Sequence, residues 1–132
     1  MTQMNSFDVI IIGGGPAGCS CALYTARSNL STIILDKNPA VGALAITHKI
    51  ANFPGVKGDT SGEQLLKTMR DQAINYGAAY KQAQVYGISM TDSEKTVYTP
   101  EGTFVGKTLV LATGAMGRAC LLYTSPSPRD KT

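Results

Sequence analysis

The run FDVIIIGGGPAG, Phe7 to Gly18, followed by STIILD, Ser31 to Asp36, constrains this chain more than any other stretch. Phe7 to Ile12 is an apolar run dense in β-branched residues, the pattern of a central parallel strand covered on both faces. A glycine turn follows at once. Pro16 to about Arg27 then suits a helix, with Gly18, Ala22 and Ala26 repeating every fourth position and Asn29 available for a left-handed cap. Ser31 to Asp36 reads as a second buried strand. Strand, tight turn, helix and strand in about thirty residues form a βαβ unit with a right-handed crossover. The fold class expected is therefore α/β, Rossmann-like, built on a parallel sheet.

The turn itself, Gly13-Gly14-Gly15-Pro16-Ala17-Gly18, satisfies G-x-G-x-x-G. Its context gives each glycine work. Gly13 permits a sharp exit from the strand, Gly15 lets backbone approach a pyrophosphate, and Gly18 lets helix and sheet pack closely. Pro16 and Ala17 open a helix whose unpaired N–H groups and positive dipole end favour phosphate. Asp36 ends the second strand eighteen residues after Gly18, where an acid accepts hydrogen bonds from ribose hydroxyls and repels a 2′-phosphate. The plainer alternative is a tight connection and a strand-end turn residue. Cys19 and Cys21 point about 200° apart on a helix, so they form no disulfide there and suit close helix-to-sheet packing. His48, the lone histidine, has no second ligand type nearby and makes no metal site.

Lys37 to Ser61 shows no period, and an aperiodic stretch of that length is usually a functional loop. Ser61 with Gln64 predicts a capping box; Leu65, Leu66, Met69, Ala73 and Tyr76 form one apolar helix face ending at Gly77. Glu63, Lys67 and Asp71 are expected on its solvated side. A strand is expected over Tyr80 to Ile88, and Thr96 to Thr99, the turn Pro100 to Gly102 and Phe104 to Val105 read as a hairpin. Leu109 to Ala112 returns to the buried-strand pattern and runs into a second glycine turn at Gly114. The parallel sheet thus carries an inserted antiparallel segment.

A chain of 132 residues with 43% apolar content supports one core. Residues 1–119 hold ten lysines and arginines against eight acids, scattered without a basic stripe, which argues against nucleic acid and anionic membrane partners. The apolar run at Val9 is too short for a signal core or a membrane span. Three cysteines make no paired framework of the secreted kind, so a reducing, cytoplasmic setting is expected.

Taken together, GGGPAG, TARSNL (Thr25 to Leu30), GALAITHKIANFPGV (Gly42 to Val56), SGEQLL and LVLATGA resemble, in order and spacing across residues 7–118, the N-terminal FAD-binding half of low-molecular-weight thioredoxin reductases. The resemblance implies a flavoprotein disulfide oxidoreductase. Its glycine turn would hold the FAD pyrophosphate and Asp36 the adenosine ribose. The flavin-embracing loop aligns on Lys37 to Asn52, placing Gly42, Ala43, Leu44 and Thr47 at the isoalloxazine edge and Asn52 near the ring or ribityl chain. Backbone near Val85 would lie by the adenine, and Thr113 and Gly114 match the family's Ala-Thr-Gly turn, which approaches the dinucleotide again. Common members carry glutamine where this chain has Ala43, so one side-chain bond to the flavin is missing. The Gly42 to Val56 wording is closer to the ferredoxin-dependent and diflavin branches, which leaves NADPH, ferredoxin or a second flavin as electron donor. A thioredoxin-like protein is the implied substrate and a homodimer the implied full-length assembly.

The family continues with a domain bearing a redox-active Cys-x-x-C, which this sequence lacks. Instead Cys120 to Asp130, CLLYTSPSPRD, resembles the translation of a transposase-end adapter used in sequencing libraries. The expected organisation is a partial FAD-binding domain over 1–119, incomplete at its C-terminus, with a non-native, disordered tail over 120–132. On that reading no catalytic residue is present, and Cys120 is not an active-site cysteine. Two other functions compete: an FAD- or NAD-dependent reductase without redox cysteines, like the ferredoxin or flavodoxin reductases, and a non-enzymatic nucleotide-binding module.

Overall fold

A computed structural model of the chain describes residues 5–37 and 49–114. The alternation expected between Phe7 and Asp36 is present as β1 (Asn5–Ile12), α1 (Pro16–Arg27) and β2 (Thr32–Asp36). Gly18, Ala22 and Ala26 are buried, so the small-residue stripe of α1 faces the sheet. The helix stops where Asn29 takes φ 64°, and the Leu30 amide returns to the Thr25 carbonyl at 3.0 Å. β1 and β2 are parallel, with Ile12 beside Leu35.

α2 (Gly62–Asn75) begins on the expected capping box. The Ser61 hydroxyl accepts the Gln64 amide at 3.1 Å and the Gln64 side chain accepts the Ser61 amide at 3.0 Å. Leu66 and Ala73 are buried against α1, while Lys67 and Asp71 pair at 2.9 Å in solvent. Tyr76 departs from the expected apolar face. It is the C-cap residue, more than half exposed, and lies under the Arg27 guanidinium at 5.4 Å. Ser61→Ala should cost about 1 kcal/mol, because the Gln64 amide loses its acceptor while the Gln64 side chain still holds the amide of residue 61; a urea titration of the full-length protein checks it.

β3 (Ala79–Gln82) pairs parallel with β2, and β4 (Gly87–Met90), β5 (Lys95–Thr99) and β6 (Gly102–Leu111) complete a sheet of order β3-β2-β1-β6-β5-β4. The single strand expected over Tyr80 to Ile88 is therefore two strands on opposite edges. Ala83 is buried and its amide continues the ladder to the Asp36 carbonyl at 3.0 Å; β2 ends at Asp36, so β3 has no further register partner on that strand and the chain crosses to the far edge as β4. The hairpin and the later strand, expected as separate elements, are one strand: β6 pairs antiparallel with β5 as far as Gly106 and parallel with β1 from Phe104 to Leu111. Gly106 allows this, since a Cβ there would lie 2.9 Å from the Ile10 side chain. Beyond Gly106 the β5 side of the strand has no ladder partner among the described residues. Leu109 and Val110 are accordingly half-buried and Leu111 is 67% exposed, not buried as the apolar run suggested.

The sheet is packed on both faces. Val9, Ile11 and Ile34 meet α1 and α2 on one side; Ile10, Ile33, Leu35, Val97 and Phe104 form the other.

Candidate functional site

The four parallel strands end together at Ile12, Asp36, Gln82 and Leu111. Successive connections lead from β1 outward to β2 and β3 on one side, while β6 lies on the other, so the strand order reverses between β1 and β6. Open α/β sheets bind ligands outside the carboxyl ends of strands at such a reversal.

Two glycine turns meet there. Gly13 takes φ +114°, its amide continues the ladder to the Leu35 carbonyl at 2.9 Å, and a Cβ on it would overlap the Ala112 carbonyl. Ala112 in turn donates to the Ile12 carbonyl at 2.8 Å, and Thr113 and Gly114 follow, exposed. Gly18 closes the turn from the helix side, with its Cα against the Gly13 carbonyl so that a Cβ has no room. Gly15 is the opposite case: among the described residues no atom beyond its chain neighbours lies within 4 Å of a Cβ built on it.

Gly15 is also the N-cap of α1, and α1 has neither a side-chain cap nor an acidic residue in its first turn. Cys19 is the first residue whose amide finds an intrahelical acceptor, the Gly15 carbonyl at 2.9 Å. By helix geometry the Ala17 and Gly18 amides precede that ladder, Pro16 having none, so positive dipole and free donors face the space above Gly15. α2, capped by Ser61, offers no comparable end.

Asp36 faces this corner. Its residue is 9% exposed, its carboxylate packs against Gly14 so closely that a Cβ there would overlap Oδ2, and Tyr80 donates its hydroxyl to Oδ2 at 2.6 Å. Burial raises the Tyr80 phenol well above its ordinary range, and the bond to Asp36 and the carboxylate's charge push it further. Beneath the turn, Cys19 donates its thiol to the Gly14 carbonyl at 3.4 Å. Burial pushes that thiol up to about 11, with Asp36 adding to the rise and Arg70 opposing it.

The folded Cys19 value lies above its unfolded value of 9.0, so its contribution is complete below pH 9 and disappears as pH rises through about 11. Stability of the full-length protein should fall over that interval by on the order of 2 kcal/mol more than that of Cys19→Ala. Denaturant titrations at pH 8 and above pH 11 check this, after allowing for the fixed cost of the substitution.

Gly13, Gly15, Pro16, Ala17, Gly18, Asp36, Thr113 and Gly114 thus come together at one edge. Lys37 lies beside them in solvent, with its carbonyl accepting the Gln82 side chain at 3.4 Å. Asn52 shares a shallow, mostly apolar pocket with Pro16, Ile50, Phe53, Leu65 and Met69, which brings it to the start of α1. Val85 lies two residues beyond the Ala83 anchor to Asp36 and packs against the core. Gly42, Ala43, Leu44, Thr47, His48, Cys120 and the 120–132 tail lie outside the described residues. The roles expected from sequence omitted Gly14, Tyr80 and Arg70. The middle glycine of the GGG run was a visible signal for the first; nothing in sequence links Tyr80 to a carboxylate 44 positions away.

Comparison with known proteins agrees with this geometry. The pattern of the pyridine nucleotide-disulphide oxidoreductase family matches residues 7–126, which extends into the segment expected to be non-native. A thioredoxin reductase of Aquifex aeolicus (strain VF5) is 49% identical over 86% of this chain and 35% of its own length. The solved thioredoxin reductase from Gloeobacter violaceus superposes with a TM-score of 0.84 at 68% identity, covering 86% of this chain and 36% of that one. The thioredoxin reductase of Lactococcus lactis in its FR conformation gives 0.79 at 35% identity, over 85% and 37%. The chain therefore spans little more than a third of the relatives it matches. With its glycine turns and acid at the sheet's reversal point, and a family match over most of its length, the chain belongs to the pyridine nucleotide-disulphide oxidoreductases.

Proposed function

We propose that this chain is the FAD-binding platform of a thioredoxin-reductase-like disulfide oxidoreductase. The observation that carries the reading is the Asp36 carboxylate lodged against Gly14, beside an uncapped helix end with space above Gly15 that no described residue fills. A dinucleotide needs both features a few ångströms apart: donors for its diphosphate and an acceptor for its ribose.

In this reading the Ala17 and Gly18 amides bind the diphosphate, Gly15 keeps a side chain out of its way, and Gly13 turns the chain sharply out of β1 against the second glycine turn. Asp36 accepts the ribose hydroxyls, backbone near Val85 borders the adenine, and Thr113 and Gly114 close the crevice from β6. Lys37, Gly42, Ala43, Leu44, Thr47 and Asn52 enclose the flavin end. Bound FAD would supply the two-electron store between a donor and a dithiol, which passes the electrons to a protein disulfide by thiolate exchange. The protein substrate is of the thioredoxin kind, the donor NADPH or reduced ferredoxin, the assembly a homodimer and the setting cytoplasmic. Among the described residues no helix is long and apolar enough to cross a membrane.

The test is reduction of thioredoxin by the full-length protein, followed as thiol release, with NADPH and with reduced ferredoxin in parallel. Turnover with either donor is expected, and the productive one identifies the branch. A flavin-loaded protein that reduces no disulfide with either donor contradicts the reading in favour of a reductase without redox cysteines.

A further inference from the structure

Ile34 and Tyr80 are register partners in β2 and β3, and Asp36 and Gln82 are the next pair on the same face. That face lies under α1 and α2, so Tyr80 reaches along the sheet to Asp36 while Arg70 of α2 sets its guanidinium 4.8 Å from the Tyr80 ring centroid. The hydroxyl-to-carboxylate distance of 2.6 Å is in the short range of charge-assisted bonds. A carboxylate ordinarily turns about its last bond with little resistance. Here Oδ2 is held between a phenol and the Gly14 backbone, and Cγ would be 2.7 Å from any Cβ at that glycine. The guanidinium over the ring face is attracted by the ring and strengthens the phenol as a donor.

We propose that Tyr80, backed by Arg70, is a positioning residue: it fixes the Asp36 carboxylate in the orientation that meets the 2′,3′-diol of an adenine nucleotide at the glycine turn. This rests on the reading that Asp36 takes a ribose. It assigns the specificity of that contact to a residue on another strand. A purely structural Tyr80, solvating a buried carboxylate, would affect stability or weaken all nucleotides alike. A positioning Tyr80 affects only nucleotides that carry the diol.

Calorimetric titration of the flavin-free full-length protein with ADP and with 2′,3′-dideoxy-ADP separates the two. Wild type should prefer ADP by about tenfold or more, the value of hydrogen bonds to a charged acceptor. Tyr80→Phe keeps the ring and should compress that preference to roughly threefold or less, with dideoxy-ADP affinity within about twofold of wild type. Arg70→Met, read in the same way, should compress it partly and serves if Tyr80→Phe does not fold. A wild-type preference that survives both substitutions overturns the inference alone, as does an equal loss for both ligands. A wild type with no preference removes the ribose role of Asp36, and this inference with it.

Discussion

Gly18→Ala should leave the full-length protein without bound flavin and destabilise it by about 3 kcal/mol or more. The added methyl meets the Gly13 carbonyl, a backbone atom, with Ile11 Cγ2 only 3.3 Å away on the other side. Gly13 cannot retreat, because its amide is tied to Leu35 and its Cα lies against the Ala112 carbonyl of the second turn. The strain must instead lift α1 from the sheet, pulling Ala22 and Ala26 out of contact and moving the amides that face the diphosphate. Gly15→Ala is the matched control. Its methyl meets no atom of the described residues, so the melting temperature of flavin-free protein should stay within about 2 °C of wild type, while flavin affinity falls because the methyl occupies ligand space. Thermal melts with and without added FAD read both effects.

Asp36→Asn should weaken FAD binding about 10- to 100-fold while leaving the fold in place. Asparagine keeps the shape of the side chain, and its carbonyl can still accept from Tyr80. The formal charge is lost, and with it the strength of an ionised acceptor toward ribose hydroxyls. The thiol of Cys19 should titrate lower in this variant, since the Asp36 charge is one of the two causes that raise it. Flavin fluorescence titration measures the affinity and thiolate absorbance measures the second shift. An unchanged FAD affinity would place the ribose elsewhere.

Much of this was legible because the β1, α1 and β2 segment is governed by local rules. β-branched apolar runs, a small-residue stripe and a left-handed Asn29 each act within a few positions. The capping box at Ser61 and Gln64 is local in the same sense, and the positions that meet at the glycine corner follow from strand-end spacing. What was not legible depended on distant neighbours. Residues Tyr80 to Ile88 form a plausible strand in isolation, and they divide because β2, the partner of β3, ends at Asp36. The turn at Pro100 to Gly102 announces a hairpin, but the continuation of β6 through Gly106 depends on how Ile10 packs against it. Leu111 has the sequence of a buried strand and is exposed because β6 loses its β5 partner after Gly106. The bond from Tyr80 to Asp36 joins two strands whose adjacency no local pattern encodes.

In the proposed function the uncapped start of α1 and the carboxylate at the end of β2 together hold FAD. Its most direct test is the absorbance spectrum of the full-length protein after reconstitution with FAD and gel filtration. A flavin spectrum at close to one equivalent per chain is expected, reduced to a minor fraction in Asp36→Asn and absent in Gly18→Ala. A folded wild-type protein that emerges colourless from that column contradicts it.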